Sequence, residues 1–152
     1  MNFKEIEKLE KQYGYNSIVQ EEYHRYHSER QKSFADVKSK LSKKFIKIYE
    51  QNDCFHDWNV DSICYQIKQG NKKDRITLDI SNCKKQYSIG FYKVTKFCID
   101  SACAEEQLWF GDTYRYDEWN LLADGRIKYS LITAFSKTIT FECAGVIVNK
   151  NH

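Results

Sequence analysis

The sequence predicts an α+β protein, with N-terminal helices packed on a mostly antiparallel sheet of about six strands. Three observations carry this reading. Up to residue 53, apolar residues recur every three or four positions; beyond Trp58 they alternate with a period of two. The turns between the alternating runs are short, which makes neighbouring strands antiparallel. The change of period falls at Cys54-Phe55-His56-Asp57-Trp58-Asn59. The 152 residues show no internal repeat, low-complexity stretch or linker. They are therefore read as a single domain, 1–152, with a helical part (1–53) and a β-rich part (54–150).

The helical part opens on Asn2 with Glu5 three residues on, a variant of the capping box. Phe3, Ile6, Leu9 and Tyr13 fall on one face, and Gly14 is a natural stop. Ser17 with Gln20 repeats the capping signature and starts a second helix, whose thinner apolar face is Ile18, Val19, Tyr23 and Tyr26. Ser33 and Asp36 mark either a new start or a continuation. Phe34, Val37, Leu41, Phe45 and Ile48 then form an amphipathic stripe. Lys38, Lys40, Lys43, Lys44 and Lys47 fall mostly on its outer surface, and Asn52-Asp53 ends it.

In the β-rich part, Ile63, Tyr65 and Ile67 alternate with Cys64 and Gln66, and Gly70 to Asp74 is a turn. Ile76, Leu78 and Ile80 form the returning strand. After a turn at Ser81 to Lys85, Tyr87, Ile89 and Phe91 begin a third strand. Its phase slips near Tyr92-Lys93, which predicts a bulge. Ala102 to Gln107 is a short helical turn or an acidic loop. A strand from about Thr113 to Leu122 leads into Asp124-Gly125, the strongest hairpin signal in the chain. Ile127, Tyr129, Leu131, Thr133 and Phe135 run back, Ser136-Lys137 turns, and Ile139, Phe141, Cys143 and Ile147 make a last strand reaching Val148.

An apolar content of 41% and an aromatic content of 15% exclude a disordered chain. The net charge of +3 is too small to announce nucleic-acid binding. Charge is nevertheless segregated: Lys68 to Lys96 holds eight bases against two acids, whereas Ala104 to Gly125 holds six acids and Arg115 alone as a base. Six cysteines occur without a Cys-x-x-Cys pair, so a zinc ribbon is not indicated. The chain opens without an apolar signal region and has no membrane-length apolar run. The expectation is a cytoplasmic protein with reduced cysteines, Cys98 and Cys103 being the one pair close enough in sequence to check.

Candidate chemistry is sparse. His56-Asp57 invites comparison with metal-dependent phosphohydrolases, which need further His and Asp ligands. His24 and His27, three apart on a helix, are the available partners besides the terminal His152. That enzyme class is all-helical, whereas strands follow His56-Asp57 at once. A structural corner is the simpler reading of His56, Asp57 and Trp58: Asp57 accepts backbone N–H bonds and Trp58 covers the core. No nucleophile–base set, Gly-rich phosphate loop, metal site or cofactor motif stands out. The lysine-rich helix and strands admit a nucleic-acid-binding alternative, but solvated lysines explain them more simply.

The acidic, aromatic run from Leu108 to Trp119 is more suggestive, because Trp, Tyr and Arg most often anchor interfaces. On a regular strand Tyr114, Tyr116 and Glu118 share one face, and Arg115, Asp117 and Trp119 the other. An amphipathic strand with core aromatics accounts for the run equally well.

Phe55-His56-Asp57-Trp58, the alternating strands that follow it, and Tyr116-Asp117-Glu118-Trp119 together resemble small bacterial proteins found as immunity proteins beside polymorphic toxins. The likeness spans most of residues 45–148. It implies a non-catalytic cytosolic protein that binds and neutralises a cognate toxin domain. The acidic run would then supply the contacts, through Asp112, Tyr114, Tyr116, Asp117, Glu118 and Trp119. If the toxin is a basic nuclease, the carboxylates would stand in for phosphate.

Overall fold

The computed structural model describes residues 3–70, 73–101, 112–134 and 137–151. Helix α1 (Phe3–Tyr13) ends where Gly14 takes φ 71° and donates its N–H to the Glu10 carbonyl. Helix α2 (Ser17–Val37) is capped by Asn16, whose Oδ1 accepts the Val19 N–H at 3.0 Å. The cap therefore lies one residue before the expected Ser17, and no new helix starts at Ser33. The predicted stripe from Phe34 to Ile48 is split. A 3₁₀ turn (Lys38–Lys40) and extended Leu41 separate α2 from α3 (Lys43–Gln51), which Ser42 caps by accepting the Phe45 N–H.

The strands are β1 (Trp58–Gln66), β2 (Asp74–Ser81), β3 (Gln86–Ser101), β4 (Asp112–Leu121), β5 (Ile127–Thr133), β6 (Lys137–Cys143) and β7 (Gly145–Asn151). All pair antiparallel, and the β2–β3 pairing closes the sheet. The result is a closed six-stranded barrel, ordered β1-β2-β3-β6-β5-β4, plus β7. That last strand continues β6 past Ala144 along the same neighbour: Cys98 faces Thr140, and Ile89 faces Val148. Closure removes the unpaired edges that an open sheet would leave. The β4–β5 hairpin turns as expected, with Gly125 at φ 78° and its N–H on the Leu122 carbonyl.

Two bulges decide which residues face inward. In β3 the register slips around Lys93 (φ 53°), as the phase change at Tyr92-Lys93 predicted, and Val94 is buried while Cys98 is exposed. In β4, Tyr114 pairs with Thr133 and Tyr116 with Ile132, so Arg115 is the extra residue. Tyr114, Asp117 and Trp119 are buried together, whereas Arg115 is exposed and Tyr116 and Glu118 are partly so. The expected face of Tyr114, Tyr116 and Glu118 is corrected by this bulge.

The main core joins barrel residues such as Ile76, Leu78, Phe91, Tyr129 and Phe141 to Leu41, Phe45, Tyr49 and Phe55. Helix α3 thus belongs to the barrel's own apolar cluster. A second cluster (Phe3, Ile6, Val19, Tyr26, Ile132) seats α1 and α2 against β4 and β5. The segment 102–111, with the acidic loop and Cys103, and the turn residues Phe135 and Ser136 lie outside the described residues. No described helix is long and apolar enough to cross a membrane.

Candidate functional site

Two neighbouring constellations meet on β4. The inner one is centred on Asp117, which is fully buried. Its Oδ1 accepts hydrogen bonds from Arg30 of α2 at 2.5 Å and from the Tyr49 hydroxyl of α3 at 2.6 Å. Its Oδ2 accepts from the Tyr114 hydroxyl and from the Trp119 indole N–H at 2.9 Å. Arg30 Nε also donates to the Asp117 carbonyl at 2.7 Å, and Tyr114 shares a hydrogen bond with Tyr129.

A buried carboxylate is tolerable only when paired and fully hydrogen-bonded, and this one is. Burial first, and the carboxylate second, push the Tyr49 and Tyr114 hydroxyls well above the ordinary phenol range, so both remain protonated donors. The network joins α2, α3 and the barrel wall through one side chain. Asp117, Tyr114 and Trp119 are consumed by the interior and are corrected as surface anchors. Of the other residues expected in that role, Asp112 lies 3.9 Å from Lys137, and Glu118 accepts the Tyr26 hydroxyl at 3.1 Å.

The outer constellation surrounds Tyr116, which the bulge turns away from the barrel. The His56 ring lies edge-on 5.1 Å away, the His27 ring 5.8 Å away, and Phe3 of α1 packs at 4.1 Å. Arg30 lies over the Tyr116 ring at 5.8 Å and so links the two constellations. The structure thus gathers His27 and His56, far apart in sequence, about one tyrosine. Burial lowers the His27 pKa from its ordinary value, and Arg30, His24 and His56 add to the shift. Burial raises that of Tyr116; Asp57 and Glu7 push it the same way, against Arg115 and Arg30.

The corner is built from backbone that side chains other than glycine rarely adopt. Asp53, Cys54, Phe55 and Asp57 have φ of 50°, 53°, 61° and 62°. Each left-handed residue costs about 1–2 kcal/mol, less for the two aspartates, whose short polar side chains tolerate that region better than Cys54 and Phe55 do. It is held by Phe55, which is fully buried, by the His56 N–H on the Asp53 carbonyl at 3.0 Å, and by the Asp57 N–H on the Tyr114 carbonyl at 2.9 Å.

Trp58 stacks on Tyr87 and covers the core. The Asp57 carboxylate differs from expectation. Its side chain is 78% exposed and, among the described residues, pairs with His56 Nδ1 at 3.0 Å and accepts no backbone N–H bond. Cys54 beside it is half-buried, and burial raises its thiol pKa, which disfavours the nucleophilic thiolate.

Sequence reasoning missed Arg30, Tyr49 and Tyr129. Tyr49 carried a signal in its helical spacing from Phe45, and Tyr129 in its alternation with Ile127 and Leu131; Arg30 carried none. Among the described residues no three His, Cys, Asp or Glu side chains are grouped to hold a metal ion. Comparison with protein-family models gives no match, and comparison with curated proteins gives no significant one.

Proposed function

We propose that this chain is a non-catalytic immunity-type protein that binds and neutralises a cognate toxin domain, through the corner around Tyr116. The supporting observation is the left-handed turn at 53–57. Strain of this kind persists where it serves a site, and here it holds His56 and an exposed carboxylate at the rim of an aromatic surface. Tyr116, Phe3, Tyr23 and Tyr15 form a path of ring contacts from the corner to the α1–α2 turn, with separations of 4.1, 6.0 and 6.5 Å. Tyr13, Tyr15 and Ile18 are exposed at its far end. Tyrosines ringed by charge suit a protein partner better than a small substrate.

Co-expression with a candidate toxin domain from a neighbouring gene, read as cell survival, tests the proposal. Binding should also be measured with the purified pair. The wild type should protect, and a Tyr116→Ala/Asp57→Lys variant that keeps its fold should lose at least tenfold in affinity. Full affinity in that variant would refute the corner as the contact surface.

A further inference from the structure

The face opposite in sign to the acidic run is assembled from parts that the sequence scatters. The chain entering helix α3 is tied to β7 through the Leu41–Val146 bridge, and the helix ends at Asn52, whose Oδ1 accepts Lys85 Nζ from the β2–β3 turn at 3.0 Å. Lys84, Lys85 and Lys150 line one open concavity there, together with Ser81, Gln86 and Asp61. Lys43, Lys44 and Lys47 project along the exposed side of the helix that leads to it.

Segments 38–53, 81–86 and 145–151 carry eight lysines against Glu50 and Asp53. With Asp61 included the surplus is five, which exceeds the net +3 of the whole chain, so the remainder is net negative. Lys38 neutralises Glu50 at 2.6 Å, and Asp61 accepts the Ser81 hydroxyl at 2.9 Å. Lys43, Lys44, Lys47, Lys84 and Lys150 form no ion pair among the described residues. Lys85 sits where the negative end of the α3 dipole would otherwise oppose an anion.

We propose that this lysine face binds the phosphate backbone of duplex nucleic acid without reading its bases. From Lys43 to Asn52 the helix runs about 13 Å at its regular rise, long enough to face several phosphates of a duplex that carries one charge per about 1.7 Å of axis. Lysine, a point charge on a flexible stem, suits phosphate contact without fixed geometry. Among the described residues the exposed large apolar side chains are Tyr13, Tyr15, Ile18, Tyr65, Ile67, Tyr92, Ile99 and Leu121, and none of them lines this concavity. The concavity therefore offers neither stacking platforms for unpaired bases nor aromatic anchors for a protein.

The test is fluorescence anisotropy with a labelled duplex DNA at several salt concentrations. Neutralising three phosphates should give a log–log salt slope of about −3, with non-specific affinity in the range of about 10⁻⁴–10⁻⁶ M. Lys84→Gln/Lys85→Gln/Lys150→Gln should weaken binding at least tenfold and flatten the slope. The matching lysine-to-arginine variant should retain binding. The single strand of the same sequence should bind no more tightly than the duplex. Absence of binding at low salt, an unchanged slope in the glutamine variant, or equal competition by poly-glutamate would each overturn the proposal. Toxin protection by the glutamine variant should be intact, which separates this site from the corner.

Discussion

Asp117 and Asp57 are both carboxylates next to a basic side chain, and both stood out in the sequence. Their surroundings differ completely. Asp117 has no exposed surface and receives hydrogen bonds from four side chains. Asp57 is open to solvent and, among the described residues, its one ion pair is with His56. The difference comes from backbone irregularity rather than residue type: the bulge at Arg115 rotates Asp117 inward, and the left-handed turn holds Asp57 outward. An acidic residue in an aromatic run can thus be an internal fastener, while a less conspicuous one stands at the surface.

The sharpest way to break this contrast is Arg30→Met, which strands the Asp117 charge. Removing one partner of a buried pair costs about 3–5 kcal/mol, read as a fall in the urea midpoint with an unchanged slope. Replacing both partners, as in Arg30→Met/Asp117→Leu, should recover little of that loss, because the buried Tyr49, Tyr114 and Trp119 donors lose the carboxylate that accepts them. Next in size are the neutral donors. Tyr114→Phe or Tyr49→Phe removes one hydrogen bond to the carboxylate and should cost about 1–2 kcal/mol each by the same assay.

Acid should act more gently, through the outer constellation. The folded-state pKa of His27 is lowered, so the folded protein binds fewer protons than the unfolded chain. Its contribution is complete above the ordinary histidine value near 6.5 and is lost as pH falls from there through the folded pKa, with a slope of at most about 1.4 kcal/mol per pH unit. Arg30 and His24 on α2, His56 on the corner and Tyr116 on β4 surround it. His27→Gln should show a shallower decline between pH 7 and 5 in urea titrations. The smallest effect is expected at the corner. Asp57→Gly suits φ 62° and should raise stability by no more than about 1 kcal/mol, while weakening the toxin binding proposed for the corner.

Much of the architecture was legible because it rests on local periodicity. Ile76, Leu78 and Ile80, then Tyr87, Ile89 and Phe91, alternate in the sequence and are buried in the structure. Gly14 and Asp124-Gly125 turn where their chemistry requires. What escaped the sequence is long-range or irregular. Arg115 carries no glycine or proline to mark its bulge, so strict alternation groups Tyr114 with Tyr116 and Glu118 instead of with Asp117 and Trp119. The left-handed turn runs through Cys54 and Phe55, residues that seldom announce one, between two aspartates that tolerate it. Barrel closure depends on the pairing of β2 with β3 and of β1 with β4, and helical or strand spacing does not encode it. Arg30, alone on a polar stretch of α2, gains its partner only when that helix lies on β4.

The central claim is that Asp117 fastens the helices to the barrel while Asp57 serves the surface. Urea unfolding of Asp117→Asn and Asp57→Asn, measured side by side, tests it most directly. Leaving Arg30 buried beside a neutral amide should cost Asp117→Asn about 3 kcal/mol or more, while Asp57→Asn should stay within about 0.5 kcal/mol of the wild type. Equal losses, or a nearly unperturbed Asp117→Asn, would contradict the account.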